Sequence, residues 1–313
     1  SNAIIGDFYY NSTTGQFKDI FTGVGAWSSG ATIPAGKMAQ ASGGSMTAAV
    51  VFGGNDSTST DDNSTYEYNG SSWSAGGNMS EGIGYGGGGG IQTSALHCGG
   101  YASPGSTSKT EEYDGSSWSS GGNLNTRRYN MGSSVVGQAN TNATLIGGRD
   151  EAAGGNCNFQ ENYNGTAWTE LADMPTDSYA GQATGTTGAL MYYAGTGYTK
   201  TGANWNGSAW TDNSHQLNTD RSDAAMSGST TSGFMIGGGA PAYVSCEMYD
   251  GTSWTEVADL ATFGNKNGKA TTLTTNTTAI TFGGYGSPAS PTGNTQTELW
   301  DLPDFTTKTV TTS

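Results

Sequence analysis

Residues 110–128 read TEEYDGSSWSSGGNLNTRR, and the centre of this stretch occurs five times in the chain. Tyr113-Asp114-Gly115-Ser116-Ser117-Trp118 is preceded by Tyr68-Asn69-Gly70-Ser71-Ser72-Trp73. It is followed by Tyr163-Asn164-Gly165-Thr166-Ala167-Trp168, Trp205-Asn206-Gly207-Ser208-Ala209-Trp210 and Tyr249-Asp250-Gly251-Thr252-Ser253-Trp254. Asn-Gly or Asp-Gly between two aromatics predicts a tight type I′ hairpin, since both central residues of that turn need positive φ. Each copy therefore predicts a strand pair with an aromatic on either strand, recurring roughly every 45 residues, the period of a four-stranded repeat.

Working outward, each copy carries the same companions. After the Trp comes a loop ending in a large apolar residue: Ile33, Met79, Leu124, Met174, Leu217 or Leu260. A strand of small residues follows, suited to an innermost position where repeats crowd an axis. An apolar strand then runs into a glycine pair, as in Val50-Val51-Phe52-Gly53-Gly54 and Leu145-Ile146-Gly147-Gly148. Six such sets predict an all-β, six-bladed β-propeller of four-stranded antiparallel blades. The organisation reads as an expression scar over 1–3, a separate hairpin over 4–20, the propeller over 21–305 and a tail over 306–313. An upstream segment or signal peptide removed from this N-terminus is part of the same expectation. Trp27 keeps the Trp-Ser-Ser-Gly wording of the fourth strands, whereas the C-terminal copy has Asp301-Leu302-Pro303 at its turn. Proline cannot donate to a sheet ladder, so the Trp27 strand is expected to close the last blade beside Glu298-Leu299-Trp300.

Of 313 residues, 52 are glycine, 33% are hydrophobic and 12% charged. That balance alone suggests disorder, but the regular Trp and Tyr placement supplies a core that is small in residue number and large in aromatic area. A formal charge of −15 with eleven basic residues weighs against nucleic acid as a partner. No apolar run approaches the ~18 residues of a membrane span. Three cysteines without metal-type spacing predict neither a disulfide framework nor a structural zinc site.

A glycine pair, then Tyr, then Trp, once per blade, resembles the kelch repeat over roughly residues 21–305, with a shorter Tyr-to-Trp spacing than the usual pattern. The wording TEEYDGSSWSSGGNLNTRRYNMG is most similar to kelch-like arrays of marine bacteriophage tail fibres, and Tyr9-Tyr10-Asn11-Ser12-Thr13-Thr14-Gly15 resembles a small phage-fibre hairpin. The resemblance implies a virion-exposed or extracellular host-recognition module, with a surface glycan or protein receptor and other fibre subunits as partners. Kelch propellers also include enzymes. The copper oxidases among them need two Tyr, two His and a Tyr–Cys crosslink, a set that no stretch here matches.

Comparing the repeats isolates positions that differ. Four residues past the apolar anchor stand Lys37, Ile83, Arg128, Ser178, Arg221 and Gly264, and directly after the glycine pair stand Asn55, Tyr101, Arg149, Thr196, Gly239 and Tyr285. Both sets are expected to ring the mouth of the channel, on the face that carries the long variable loops. The candidate ligand-binding residues are Lys37, Tyr101, Arg128, Tyr129, Arg149, Tyr179, His215, Arg221 and Tyr285. The arginines suit a carboxylate or sugar hydroxyls, or equally ion pairs between blades through Asp220 or Asp223. The tyrosines suit stacking on sugar rings, or filling of the channel. His215 lies in a loop one residue longer than its counterparts, which a local bulge also explains. His97 and Cys98 are expected in blade packing. Asp56, Asp61 and Asp62 share one loop and form a candidate Ca²⁺ site, with solvated charge as the competing reading. The sequons at Asn69, Asn164 and Asn206 follow from the turns. No nucleophile–His–acid set or carboxylate pair is legible. The expected function is non-catalytic recognition, against a sugar-active enzyme or a structural spacer.

Overall fold

The computed structural model describes residues 8–11, 16–21, 25–56, 58, 60–131, 136–150, 154–193, 195, 197, 199–239, 244–261, 269–270, 276–287, 290–302 and 306–310. It is a six-bladed β-propeller, each blade a four-stranded antiparallel sheet. Blade 1 comprises Ala41–Ser45, Ala48–Phe52, Thr65–Tyr68 and Trp73–Ala75. Blade 2 comprises Gly87–Ile91, Ser94–Cys98, Thr110–Tyr113 and Trp118–Ser120. Blade 3 comprises Val136–Ala139, Asn142–Ile146, Gln160–Tyr163 and Trp168–Glu170. Blade 4 comprises Gln182–Thr186, Ala189–Tyr193, Gly202–Trp205 and Trp210–Asn213. Blade 5 comprises Ala225–Ser229, Ser232–Ile236, Cys246–Tyr249 and Trp254–Val257. The innermost strands touch their neighbours in a closed cycle.

Blade 6 is assembled from both ends of the repeat region. Lys269–Ala270, Thr278–Phe282 and Thr297–Asp301 receive Ala26–Ser29 as their outermost strand, with Trp27 opposite Trp300 and Ser28 opposite Leu299. The Trp27 strand thus closes the ring as its wording predicts. Beyond the blades, Phe8–Asn11, Gln16–Phe21 and Thr306–Val310 pair as a three-stranded sheet, so the N-terminal hairpin and the C-terminal strand form one unit. Among the described residues no helix is long and apolar enough to cross a membrane.

The small-residue rule for the inner strands has a steric cause. A Cβ at Gly88 would lie 2.4 Å from the Ala41 side chain, and one at Gly43 would lie 2.6 Å from the Gly90 carbonyl. The glycine pairs answer to conformation and to approach. In Gly99-Gly100 the φ angles are 58° and 104°, and a Cβ on Gly99 would meet the Arg128 carbonyl at 2.6 Å. That closeness lets the pair bond to the next blade: the N–H groups of Gly54, Gly100 and Gly148 donate to the carbonyls of Ile83, Arg128 and Ser178.

The hairpin turn differs from the expected type I′. Tyr113 pairs with Trp118, leaving a four-residue loop in which Gly115 has φ 92° while Asp114 does not have positive φ. The Asp114 carboxylate instead accepts the N–H groups of Ser116 and Ser117, both at 2.8 Å, and Asn69, Asn164, Asn206 and Asp250 repeat the arrangement. A side-chain oxygen that caps two amides removes the need for a second left-handed residue. These bonds, led by the one to the Ser117 amide, hold the Asp114 carboxyl down at about 2.

The repeat tryptophans divide. Trp168 and Trp254 are buried, whereas Trp73, Trp118 and Trp210 are half-buried, so the aromatic core expected from the repeat encloses only part of the set. The outermost strand has solvent on one side. The indoles still reach the preceding blade: Trp73 Nε1 donates to Thr297 Oγ1, Trp118 to Thr65 Oγ1, Trp168 to Thr110 Oγ1 and Trp210 to Gln160 Oε1, at 2.8–3.1 Å. Tyrosine hydroxyls add a second row, Tyr113 donating to Glu67 and Tyr163 to Glu112. All six apolar anchors are buried.

Candidate functional site

The apolar strands end at the glycine pairs and the Trp strands run out beside them, so one face collects the long connections. Three of these fold into short hairpins: Tyr101–Ala102 with Gly105–Ser106, Arg149–Asp150 with Gly155–Asn156, and Tyr285–Ser287 with Ser290–Gly293. They rise from blades 2, 3 and 6.

A ring of backbone bonds borders the mouth on this face. Two residues past each variable position, Ala39, Tyr85, Asn130, Ala180 and Asp223 adopt φ between 51° and 59°. Four of the five donate to their predecessor: Tyr85 N–H to Ala39 O, Asn130 to Tyr85, Ala180 to Asn130 and Asp223 to Ala180, at 2.8–2.9 Å. Left-handed backbone is costly for residues other than glycine, and the inter-blade bond offsets it. The five are two Ala, a Tyr, an Asn and an Asp, and only Asn130 and Asp223 are of types that favour positive φ, so their identities do not mark the set.

Three of the four Lys and Arg candidates, Lys37, Arg128 and Arg221, are withdrawn from solvent. Arg128 and Arg221 are fully buried, and each pairs with a glutamate of its own blade, Arg128 with Glu161 at 2.6 Å and Arg221 with Glu247. Arg221 also donates to the carbonyls of Gly237 and Ser245 at 3.0 and 2.9 Å. The expected inter-blade partners Asp220 and Asp223 are replaced by these carboxylates, because the side chain lies down along its own blade. Lys37 is equally buried. Its ammonium donates to Asp62 at 2.8 Å and to the Gly53 carbonyl, and it sits 5.5 Å from the centre of the Tyr66 ring. Burial pushes the Lys37 pKa down, and Asp62 opposes that shift.

The same glutamates do a second task. Glu161 accepts the N–H of Asn125 at 2.8 Å, Glu247 that of Asn218 at 2.7 Å, Glu111 that of Ser80 at 3.0 Å and Glu298 that of Ala261 at 2.9 Å. In each case the donor directly follows the apolar anchor. Blades 1 and 4 have Pro34 and Pro175 there, which carry no N–H, and the glutamate is replaced by Tyr66 and Ala203.

Tyr101 and Tyr129 are the candidates brought together. Their rings meet edge to face with centroids 5.6 Å apart and planes at 64°. Tyr129 exchanges both backbone bonds with Arg149, at 3.0 and 2.8 Å, and Tyr101 is bonded in the same way to Gly84. The two tyrosines are half-buried and Arg149 is exposed. Blades 2 and 3 thus present an aromatic pair beside an open guanidinium at the mouth.

The other candidates lie elsewhere. Tyr179 is half-buried at the entry to blade 4. His215 belongs to blades 4 and 5: its Nδ1 is 2.9 Å from the Tyr249 hydroxyl and its carbonyl accepts the Tyr193 hydroxyl at 2.6 Å. The Tyr285 side chain lies outside the described residues. The three loop aspartates turn apart: Asp56 caps Thr58 and Thr60, Asp61 accepts from Asn55 and Ser103, and Asp62 holds Lys37. Among the described residues no group of three or more His, Cys, Asp and Glu side chains stands together as a metal site. His97 and Cys98 are buried in the second blade, where burial holds the His97 pKa down at about 3 and pushes the Cys98 thiol up.

No protein-family model matches this chain, and no curated protein matches it.

Proposed function

We propose that the chain is a non-catalytic recognition module whose loop face binds surface glycans, as the kelch-like and phage-fibre wording of its repeat implies. The observation that carries this reading is the Tyr101–Tyr129 pair with Arg149 beside it. Half-buried aromatic edges offer apolar contact to the faces of sugar rings, and an exposed guanidinium donates to hydroxyls or a carboxylate. The scaffold beneath varies little between blades while the loops above it differ, the arrangement of a surface whose specificity resides in its loops. The buried His97 and Cys98 and the paired Lys37, Arg128 and Arg221 serve the fold.

A glycan array with the intact chain tests the reading. Retention of a defined set of glycans, recovered unchanged after prolonged incubation, is the expected result. Release of cleaved or oxidised sugar would favour a sugar-active enzyme, and no retention of any glycan would favour a spacer or a protein receptor.

A further inference from the structure

Blade 4 differs from blades 1, 3 and 5 behind its apolar anchor, where it has no cation; blade 2 has the apolar Ile83 there. Blades 3 and 5 fill the space behind the anchor with a buried arginine on a glutamate, Arg128 on Glu161 and Arg221 on Glu247. Blade 1 fills it with Lys37, held by Asp62 and packed on Tyr66. Blade 4 has Ser178 at the cation position and Ala203 at the glutamate position, with Pro175 where the glutamate's amide donor would be. Tyr192 takes part of the vacated volume and donates to Ser178 Oγ at 2.8 Å. Burial pushes its phenol up to about 12, so it stays a donor.

The rest of that volume is a cavity of about 360 Å³ at the loop end of the blade, bounded by Met174, Ser178, Tyr192, Ala203, Asp177 and Asp212 among others. Its size falls in the range of small-molecule sites. Its lining carries two carboxylates, several hydroxyls and the Asn213 amide, and among the described residues no cationic side chain. The chain's charge of −15 adds a field that concentrates cations.

We propose that this cavity binds a small polar molecule through a protonated amine or guanidine, which occupies the volume that an arginine side chain fills in blades 3 and 5. Asp177 and Asp212 supply the counter-charge, Ser178 and Asn213 accept or donate at the inner end, and Met174 and Pro175 cover the carbon skeleton. The site is separate from Tyr101, Tyr129 and Arg149, so it stands whether or not those residues bind a glycan.

Calorimetric titration of the intact chain with methylguanidine, glucosamine and glucose tests the proposal. Saturable binding of methylguanidine and glucosamine, with glucose at least tenfold weaker, is expected. Asp177→Asn with Asp212→Asn alters only exposed side chains and should weaken the two cations at least tenfold. Ser178→Arg with Tyr192→Leu and Ala203→Glu copies blade 3 into blade 4 and should abolish binding while the chain stays folded. If that variant fails to fold, the carboxamide pair alone decides. Absence of cation binding, equal binding of glucose and glucosamine, or binding unchanged in the carboxamide variant would each overturn the proposal.

Discussion

The indole N–H of Trp118 donates to the hydroxyl of Thr65 at 2.9 Å, joining the outermost strand of one blade to the third strand of the blade before it. The ring also meets Phe52 of that preceding blade, with centroids 4.8 Å apart. One side chain therefore carries both a polar and an apolar link across the interface. Trp118→Ala should lower stability by about 3 kcal/mol, the low end for a large aromatic because one edge is already in water. Trp118→Phe should lose roughly 1 kcal/mol, the net worth of the hydrogen bond. Chemical denaturation of both variants checks the order, and equal stability of Trp118→Ala and the parent would refute the link.

The buried Arg128–Glu161 pair predicts strong coupling. Arg128→Met leaves a carboxylate in the interior, and Glu161→Gln leaves a guanidinium. Each should cost about 3–5 kcal/mol. Combining them removes both charges and should cost less than the sum of the single changes. Additive losses in a double-mutant cycle would mean that the two groups do not sense one another.

His97 predicts an acid limb to the stability curve. Its folded pKa of about 3 lies below its ordinary 6.5, so the unfolded chain takes up the proton first. The contribution of neutral His97 is complete above pH 6.5 and is lost as the pH falls toward 3. Its Nδ1 has no hydrogen-bond partner among the described residues, and its ring packs against Phe52 at 6.1 Å. His97→Leu should flatten the stability profile between pH 6.5 and about 4.5, a range above the ordinary carboxylate titration. An unchanged slope in that variant would assign the acid sensitivity to other groups.

Ring closure gives a deletion test. Residues 1–30 contain the strand that pairs Trp27 with Trp300, and Trp27 also stacks on Phe234 of blade 5 at 5.7 Å. Their removal exposes the edge of blade 6 and should abolish cooperative unfolding or lower the midpoint sharply. Removing 306–313 takes away only the partner strand of the N-terminal hairpin and should cost less. Equal losses would show that the small three-stranded sheet is as important to the ring as the closing strand.

How much of this was legible in advance differs by residue. The aromatic–Asx–Gly–Trp unit and the glycine pairs predict blade number, strand order and the closing role of Trp27, because each recurs at a fixed place in the repeat. The turn departs from the expected type, since Asn-Gly and Asp-Gly serve a capped four-residue loop as well as a type I′ turn, and only the side-chain bonds of Asp114 and Asn69 to the following amides separate them. The burial of Arg128, Arg221 and Lys37 was not decidable, because an arginine facing a channel and one lying along its blade have the same sequence. A signal was nevertheless present. Pro34 with Tyr66, and Pro175 with Ala203, break the same amide–glutamate pair in two blades, and comparing repeats at both positions would have exposed the glutamate's role. The left-handed ring through Tyr85, Asn130 and Ala180 left no such mark.

Direct titration of the loop face is the sharpest test of the central claim. A glycan retained on the array should bind the intact chain saturably in calorimetry. Tyr101→Ala, Tyr129→Ala and Arg149→Ala combined should weaken it at least tenfold while the unfolding midpoint stays close to the parent's, because all three side chains stand at the loop ends of blades 2 and 3 and outside the core clusters. Unchanged affinity in a folded triple variant would contradict recognition through this face.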